Sequence, residues 1–215
     1  MDVIFWGRKM GIFLARNPVK KENLFWKEIE TKTPALYREA LERLTEIVYT
    51  VQAVVIDGKR GARNVFEDIP VQHCQCHQIQ TITRYLTRKP MLPAGQDLRI
   101  LSLTLPYTNE RTFTEELATW YKIYKDILKE KTPCSCCKAN RWPYTHRRLR
   151  AAYRSLKTNI PFLFTCQTYP ELHIPHTTNS PDGFFSHLKN SIGVHHGKTP
   201  ECRYKMIQEI LNKEG

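Results

Sequence analysis

Asp57 closes an apolar run, Ala53-Val54-Val55-Ile56-Asp57-Gly58-Lys59-Arg60. β-Branched residues followed by an acid and a glycine read as a buried strand that delivers one carboxylate to a sheet edge. Two further acids have comparable settings. Asp2 opens a second apolar run, and Asp182 stands at the start of a helix in Thr177-Thr178-Asn179-Ser180-Pro181-Asp182-Gly183-Phe184-Phe185. Carboxylates are the hard oxygen ligands that Mg²⁺ takes. Two divalent ions about 3.5–4 Å apart can activate a nucleophile and stabilise the leaving oxygen of a phosphodiester. Three separated acids on a basic chain therefore point to metal-assisted chemistry on a polyanion.

The balance of charge fits that chemistry. The chain has 215 residues and a formal net charge of +12 at pH 7, with a pI near 9.4. The positive charge is spread along the chain. Each Lys or Arg placed near a phosphate releases a counterion, so such a surface suits nucleic acid. Hydrophobic residues at 41% and aromatics at 11% exclude global disorder. The length suits one domain, or one domain with an insertion. No window reaches the roughly 18 apolar residues of a membrane span. Arg8 and Lys9 follow the first apolar residues, which is not a signal-peptide pattern. Seven cysteines, several of them clustered, argue against a disulfide framework and for a reducing, cytoplasmic compartment.

The elements that must position the acids follow from periodicity. Residues 2–6 and 9–16 form a hairpin about Gly7-Arg8-Lys9, and 23–30 a third strand. Thr33 is a good N-cap and Pro34 a good first helical residue; Leu36, Ala40, Leu44 and Ile47 then share one face. The strand ending at Asp57 comes next. A short helix over 60–67, a brief strand over 70–74 and a basic helix over 75–88 follow, stopped by Lys89-Pro90. From 94 to 165 strand signals vanish. Residues 111–130 are helical, with Phe113, Leu117, Trp120, Tyr121, Tyr124 and Leu128 on a stripe, and 144–158 form an Arg-rich helix. Helices over 180–192 and 199–213 end the chain.

In this order the segments resemble DDE transposases of bacterial insertion sequences, of the Mutator-like superfamily. Asp2-Val3-Ile4-Phe5-Trp6-Gly7-Arg8-Lys9 looks like the strand of the first acid, and Val55-Ile56-Asp57-Gly58-Lys59-Arg60-Gly61 like that of the second. Cys74 and His77 match a C-x-x-H signature. The segment from Thr177 to Lys189 looks like the helix of the third acid, where the family usually carries Glu and this chain has Asp182. The resemblance implies an α/β fold: a ribonuclease H-like mixed sheet flanked by helices, with an all-helical insertion between the second and third acids. The core would occupy 1–93 and 166–215 and the insertion 94–165. Asp2, Asp57 and Asp182 would be the catalytic residues and would hold two Mg²⁺ or Mn²⁺ ions. The reaction would be DNA strand cleavage and strand transfer at the ends of an insertion sequence. In the family a catalytic acid in a central strand has strand residues before it, so by the resemblance this chain would be an N-terminally truncated transposase, or one whose start lies further upstream. The alternative is an inactive remnant that only binds DNA. A third reading is a ribonuclease H-like nuclease outside transposition.

Further residues take supporting roles. The expected DNA contacts are Lys59, Arg60, Lys189 and the run Arg147, Arg148, Arg150, Arg154 and Lys157, whose bland alternative is a solvated helix face. Lys189 lies two turns beyond Asp182 on the same face. Asn179, Cys74 and His77 are near-site or structural candidates, with core packing the alternative for Cys74. The spacing Cys134-x-x-Cys137, with Cys136 between, fits half of a zinc site; no second pair follows closely. Trp120, Trp142 and Tyr144 are core residues or stacking platforms. The family implies a homodimer acting on transposon ends and target DNA, near the nucleoid, with no membrane and no small-molecule substrate.

Overall fold

The fold is that of a computed structural model. It describes residues 1–6, 10–59, 61–133, 142–193, 197 and 199–213. The expected turn at 7–9, Arg60 and the cysteines at 134, 136 and 137 lie outside the described residues. In chain order the strands are β1 (Asp2–Trp6), β2 (Met10–Asn17), β3 (Glu22–Ile29), β4 (Val54–Ile56) and β5 (Val71–His73). The helices are α1 (Pro34–Glu46), α2 (Gln75–Leu86), α3 (Pro93–Leu103), α4 (Glu110–Tyr124), α5 (Arg147–Leu163), α6 (Thr165–Thr168), α7 (Asn179–Gly193) and α8 (Pro200–Lys213). The protein is a mixed α/β chain with small antiparallel and parallel sheets. It divides into two compact units, Met1–Val71 with Thr177–Gly215, and Gln72–His176.

In the first unit β1, β2 and β3 form an antiparallel sheet in that order, with Asp2 opposite Leu14 and Trp6 opposite Met10. Ile12, Phe13, Leu14 and Ala15 of β2 are all buried. Side chains alternate along a strand, so a run of this kind needs cover on both faces. Phe13 and Ala15 pack with Leu36, Tyr37 and Ala40 of α1 and with Val54 and Ile56 of β4. Ile12 and Leu14, with Ile4 of β1, pack on Phe184, Phe185, Leu188 and Ile192 of α7 and on Ile207 and Leu211 of α8.

Helix α1 starts as its sequence indicates, with Thr33 as an extended N-cap and Pro34 in the first turn, although the Thr33 side chain makes no capping hydrogen bond. It ends at Glu46. Ile47 is therefore the C-cap and 62% exposed, not part of the buried stripe. Tyr37 takes a place on that stripe, edge-on to Phe13 at 5.1 Å. β4 and β5 pair as a short parallel two-stranded sheet. The Val54 amide donates to the Pro70 carbonyl at 2.9 Å. The amino group of Met1 donates to the Val55 carbonyl at 2.8 Å, so β1 begins against β4.

The second unit is helical. Ile82 and Leu86 of α2, Leu98 of α3, Phe113 and Trp120 of α4, and Leu149, Leu156 and Leu163 of α5 form one buried cluster. Because α2 contributes to this core, the helical unit starts at Gln72 rather than at residue 94. Three differences from the periodicity stand out. Helix α3 has no counterpart in the expected elements. Helix α4 stops at Tyr124, and residues Ile127–Lys129 form a separate 3-10 turn. Helix α5 runs to Leu163 with Pro161 inside it. At its end the Leu163 carbonyl accepts from the side-chain amides of Gln72 and Gln75 at 2.8 and 2.9 Å, and the Gln72 side-chain oxygen accepts from the Cys166 amide at 2.9 Å. Buried polar side chains thus satisfy backbone groups freed at the helix end. No helix among the described residues is long and apolar enough to cross a membrane.

Phe13 is fully buried between Phe25 and Tyr37. Phe13→Ala should lower the free energy of unfolding by roughly 3–5 kcal/mol, the usual range for a deleted core aromatic. Urea denaturation followed by circular dichroism reads the change.

Candidate active site

Strand alternation decides where Asp2 points. Asp2 and Ile4 share a face of β1, and Ile4 packs against α7. Asp182 lies in the first turn of α7. The two carboxylates meet there, with an oxygen of each within 4.8 Å of the other. Asp2 is buried, 3% exposed, and its Oδ1 accepts from the Val3 amide at 2.7 Å. Asp182 is held by its own helix start. Its amide donates to the Thr178 carbonyl at 3.1 Å, and the buried Thr178 hydroxyl donates to Asp182 Oδ2 at 3.2 Å.

Asp57 follows β4 directly, and Gly58 takes a positive φ of 77° so that the chain turns away at once. The Asp57 carboxylate is 20% exposed and forms an ion pair through Oδ2 with Lys32. Lys32 Nζ also stands 3.7 Å from Asp2 Oδ1 and is itself only 11% exposed. Tyr37 donates its hydroxyl to Asp57 Oδ1 at 3.2 Å. Burial, then the charge of Asp57 and this hydrogen bond, push the Tyr37 hydroxyl far above its ordinary value. The three acids thus converge in one unit, but not as one bare cluster. Asp2 meets Asp182 directly and meets Asp57 through an ammonium group. Among the described residues no group of three carboxylates closes within 4.8 Å.

No protein-family model matches this chain, and no curated protein or solved structure matches it either.

The remaining site residues sit on several elements. Lys189 is exposed two turns beyond Asp182 on α7, His187 is exposed beside it, and Asn179 is exposed at the first position of the same helix. Lys59 is exposed after Gly58. In the second unit, Cys74 is fully buried as the residue before α2, and His77 sits in that helix's first turn. Arg147, Arg150 and Arg154 line one pocket. Arg148 lines a different one with Lys89 and His146, and Lys157 lines neither. Trp120 belongs to the core, its N–H donating to the Ala94 carbonyl at 3.0 Å. Trp142 and Tyr144 are 56% and 38% exposed.

Sequence reasoning missed Lys32, Tyr37 and Thr178. Lys32 is one of 33 basic residues, and no motif marks it. Its one signal is position: it lies between β3 and the Thr33-Pro34 helix start, where the chain passes the end of the sheet. Tyr37 could have been found at helical spacing from Ala40 and Leu44.

Lys32→Met keeps the volume and removes the charge that Asp2 and Asp57 share. Breaking a buried pair by removing one partner costs roughly 3–5 kcal/mol, so a marked loss of thermal stability is expected in EDTA. Tyr37 gives a pH signature. Its folded-state value is raised above the unfolded value of about 10, so its contribution is complete below pH 10 and lost as the pH rises beyond. Thermal melts should show wild type losing stability above about pH 10 and Tyr37→Phe losing less of it over the same range.

Proposed function

We propose that this protein acts on DNA phosphodiesters with divalent metal ions, cleaving strands and transferring them as a transposase does. The observation that carries this reading is the convergence of Asp2, Asp57 and Asp182, from three distant segments, on one end of the first unit's sheet.

Carboxylate oxygens suit a hard divalent ion. Asp2 and Asp182 offer oxygens within 4.8 Å of one another, from positions fixed by a strand and by a capped helix start. Mg²⁺ or Mn²⁺ bound there would supply Lewis-acid polarisation of the scissile phosphate and a water of lowered pKa. The protein's own share is positional. Thr178 orients the Asp182 carboxylate. Tyr37 and Lys32 hold that of Asp57. Lys32 also relieves the repulsion between Asp2 and Asp57. Lys59 and Lys189 are exposed cations on the segments that follow Asp57 and Asp182, suited to steering a polyanion towards them.

One observation favours the second reading, a remnant that binds DNA without cutting it. The Lys32 ammonium already neutralises two of the three acids. In that reading Lys32 is a permanent counter-ion, and no divalent ion binds at Asp57.

Nicking of supercoiled plasmid in Mg²⁺ or Mn²⁺ separates the two. Wild type should nick, and Asp57→Asn or Asp182→Asn should reduce the rate by about 100-fold or more, the scale of losing preorganised charge stabilisation. DNA affinity of both variants should stay within about twofold of wild type, because neither carboxylate contributes counterion release. A wild type that binds DNA but never nicks in either metal supports the remnant.

A further inference from the structure

The second unit carries a cavity of about 490 Å³ beside α5. Arg147, Arg150 and Arg154 line it, at spacings of three and four residues that put all three on one helix face. Tyr85 and Tyr144 also line it, and no acidic side chain does among the described residues. Three guanidinium groups along one face repel one another, and an anion placed among them would relieve that repulsion.

The three arginines are not equivalent. Arg150 is committed to the protein: it donates to the Leu128 carbonyl, and its guanidinium lies 3.5 Å from the centre of the Tyr144 ring. With Lys131 Nζ 5.3 Å from the centre of the same ring, it fixes Tyr144 as a wall of the pocket. Arg147 and Arg154 are exposed, and neither makes a side-chain hydrogen bond or an ion pair among the described residues. Guanidinium groups left open in this way match phosphate oxygens. The volume lies within the range of roughly 300–1,000 Å³ that encloses a small ligand. It has room for one nucleotide. A basic groove with an aromatic wall is the arrangement that holds single strands, the phosphate on the cations and the base on the ring.

We propose that this pocket binds one nucleotide of a single-stranded nucleic acid, its phosphate between Arg147 and Arg154 and its base against Tyr144. The site lies wholly within the second unit and needs no divalent ion. It stands or falls independently of the carboxylate site.

Fluorescence anisotropy of a labelled oligothymidylate strand in EDTA tests the proposal on the full chain, with a labelled duplex of the same length beside it. The strand should bind more tightly than the duplex. Arg147→Gln and Arg154→Gln should each weaken strand binding roughly tenfold, the loss expected of one charge-assisted hydrogen bond. Together they should flatten the slope of log affinity against log salt by about 0.7, the value for one phosphate of a single strand that no longer meets a cation. Tyr144→Ala should weaken binding by a similar roughly tenfold factor with the slope unchanged, since stacking releases no counterion. The pair Lys122→Gln with Lys125→Gln removes the same charge from the end of α4 and should change affinity by no more than about twofold. Circular dichroism confirms that each variant is folded. Equal loss in the lysine pair, unchanged binding in the double arginine variant, or tighter binding of the duplex each overturns the proposal. Competition by thymidine monophosphate as strong as by the strand also overturns it, in favour of a site for free nucleotides.

Discussion

The first unit is organised by a strand that must be covered on both sides. Four consecutive residues of β2, Ile12 to Ala15, are buried, and alternation sends them in pairs to opposite faces. One pair requires α1 and β4, the other α7 and α8. Burying Ile12, Phe13 and Leu14 is favourable by roughly 1.5–3 kcal/mol each. No single helix can provide that burial, so elements from both ends of the sequence are drawn to one short sheet. Asp182 comes to Asp2 because α7 must cover Ile4, Ile12 and Leu14. Asp57 comes to the same sheet end because β4 must cover the opposite face. The meeting of the acids is a consequence of apolar packing, not of attraction between them.

Like charges brought together by packing have to be compensated, and the molecule does so in two ways. Thr178 gives Asp182 a hydrogen bond from within its own helix start. Asp2 and Asp57 share Lys32. An ammonium between two carboxylates neutralises them as a cation would, but it lacks the second positive charge of a divalent ion and brings a tether of four methylenes. That tether limits the separation of Asp2 from Asp57. The two carboxylate pairs are therefore unlike in chemistry although they share Asp2. One holds the protein's own cation between its members, and the other brings a strand carboxylate beside one held at a helix start.

Much of the first unit could be read from sequence because its signals are local. The three antiparallel strands, the Thr33-Pro34 start of α1, the strand before Asp57 and the helix around Asp182 each have periodicity or a cap in their own residues. What could not be read depends on partners distant in the chain. Ile47 has helical spacing but falls past the end of α1, so it is exposed. Helix α3 begins Pro-Ala-Gly, a start that propensity alone reads as a loop and that packing against α2 and α4 overrides. The extent of the helical unit was drawn from where strand signals stop, but α2 joins it through Ile82 and Leu86. Lys32 shows the same limit at the site. A cation is chosen as a partner by what stands beside it in space, and a chain with 33 basic residues gives no local sign of which one that will be.

Burial sorts those basic residues into kinds. Lys32 is almost enclosed and meets two carboxylates, so its charge is cancelled within the fold and contributes little field outside. Arg150 is half-buried, with its guanidinium divided between a carbonyl and an aromatic ring; its charge persists, but its donors are partly used. Arg147, Arg154, Lys59 and Lys189 stand exposed. The net charge of +12 is therefore an incomplete description of how this protein meets a polyanion. Long-range attraction depends on the total. Register depends on the few exposed guanidinium groups whose spacing a helix fixes, because a bidentate donor on a rigid element positions a phosphate where a lysine on a flexible stem does not. Arg147 and Arg154, two turns apart on α5 with the fixed Arg150 between them, are exposed guanidinium groups of this kind.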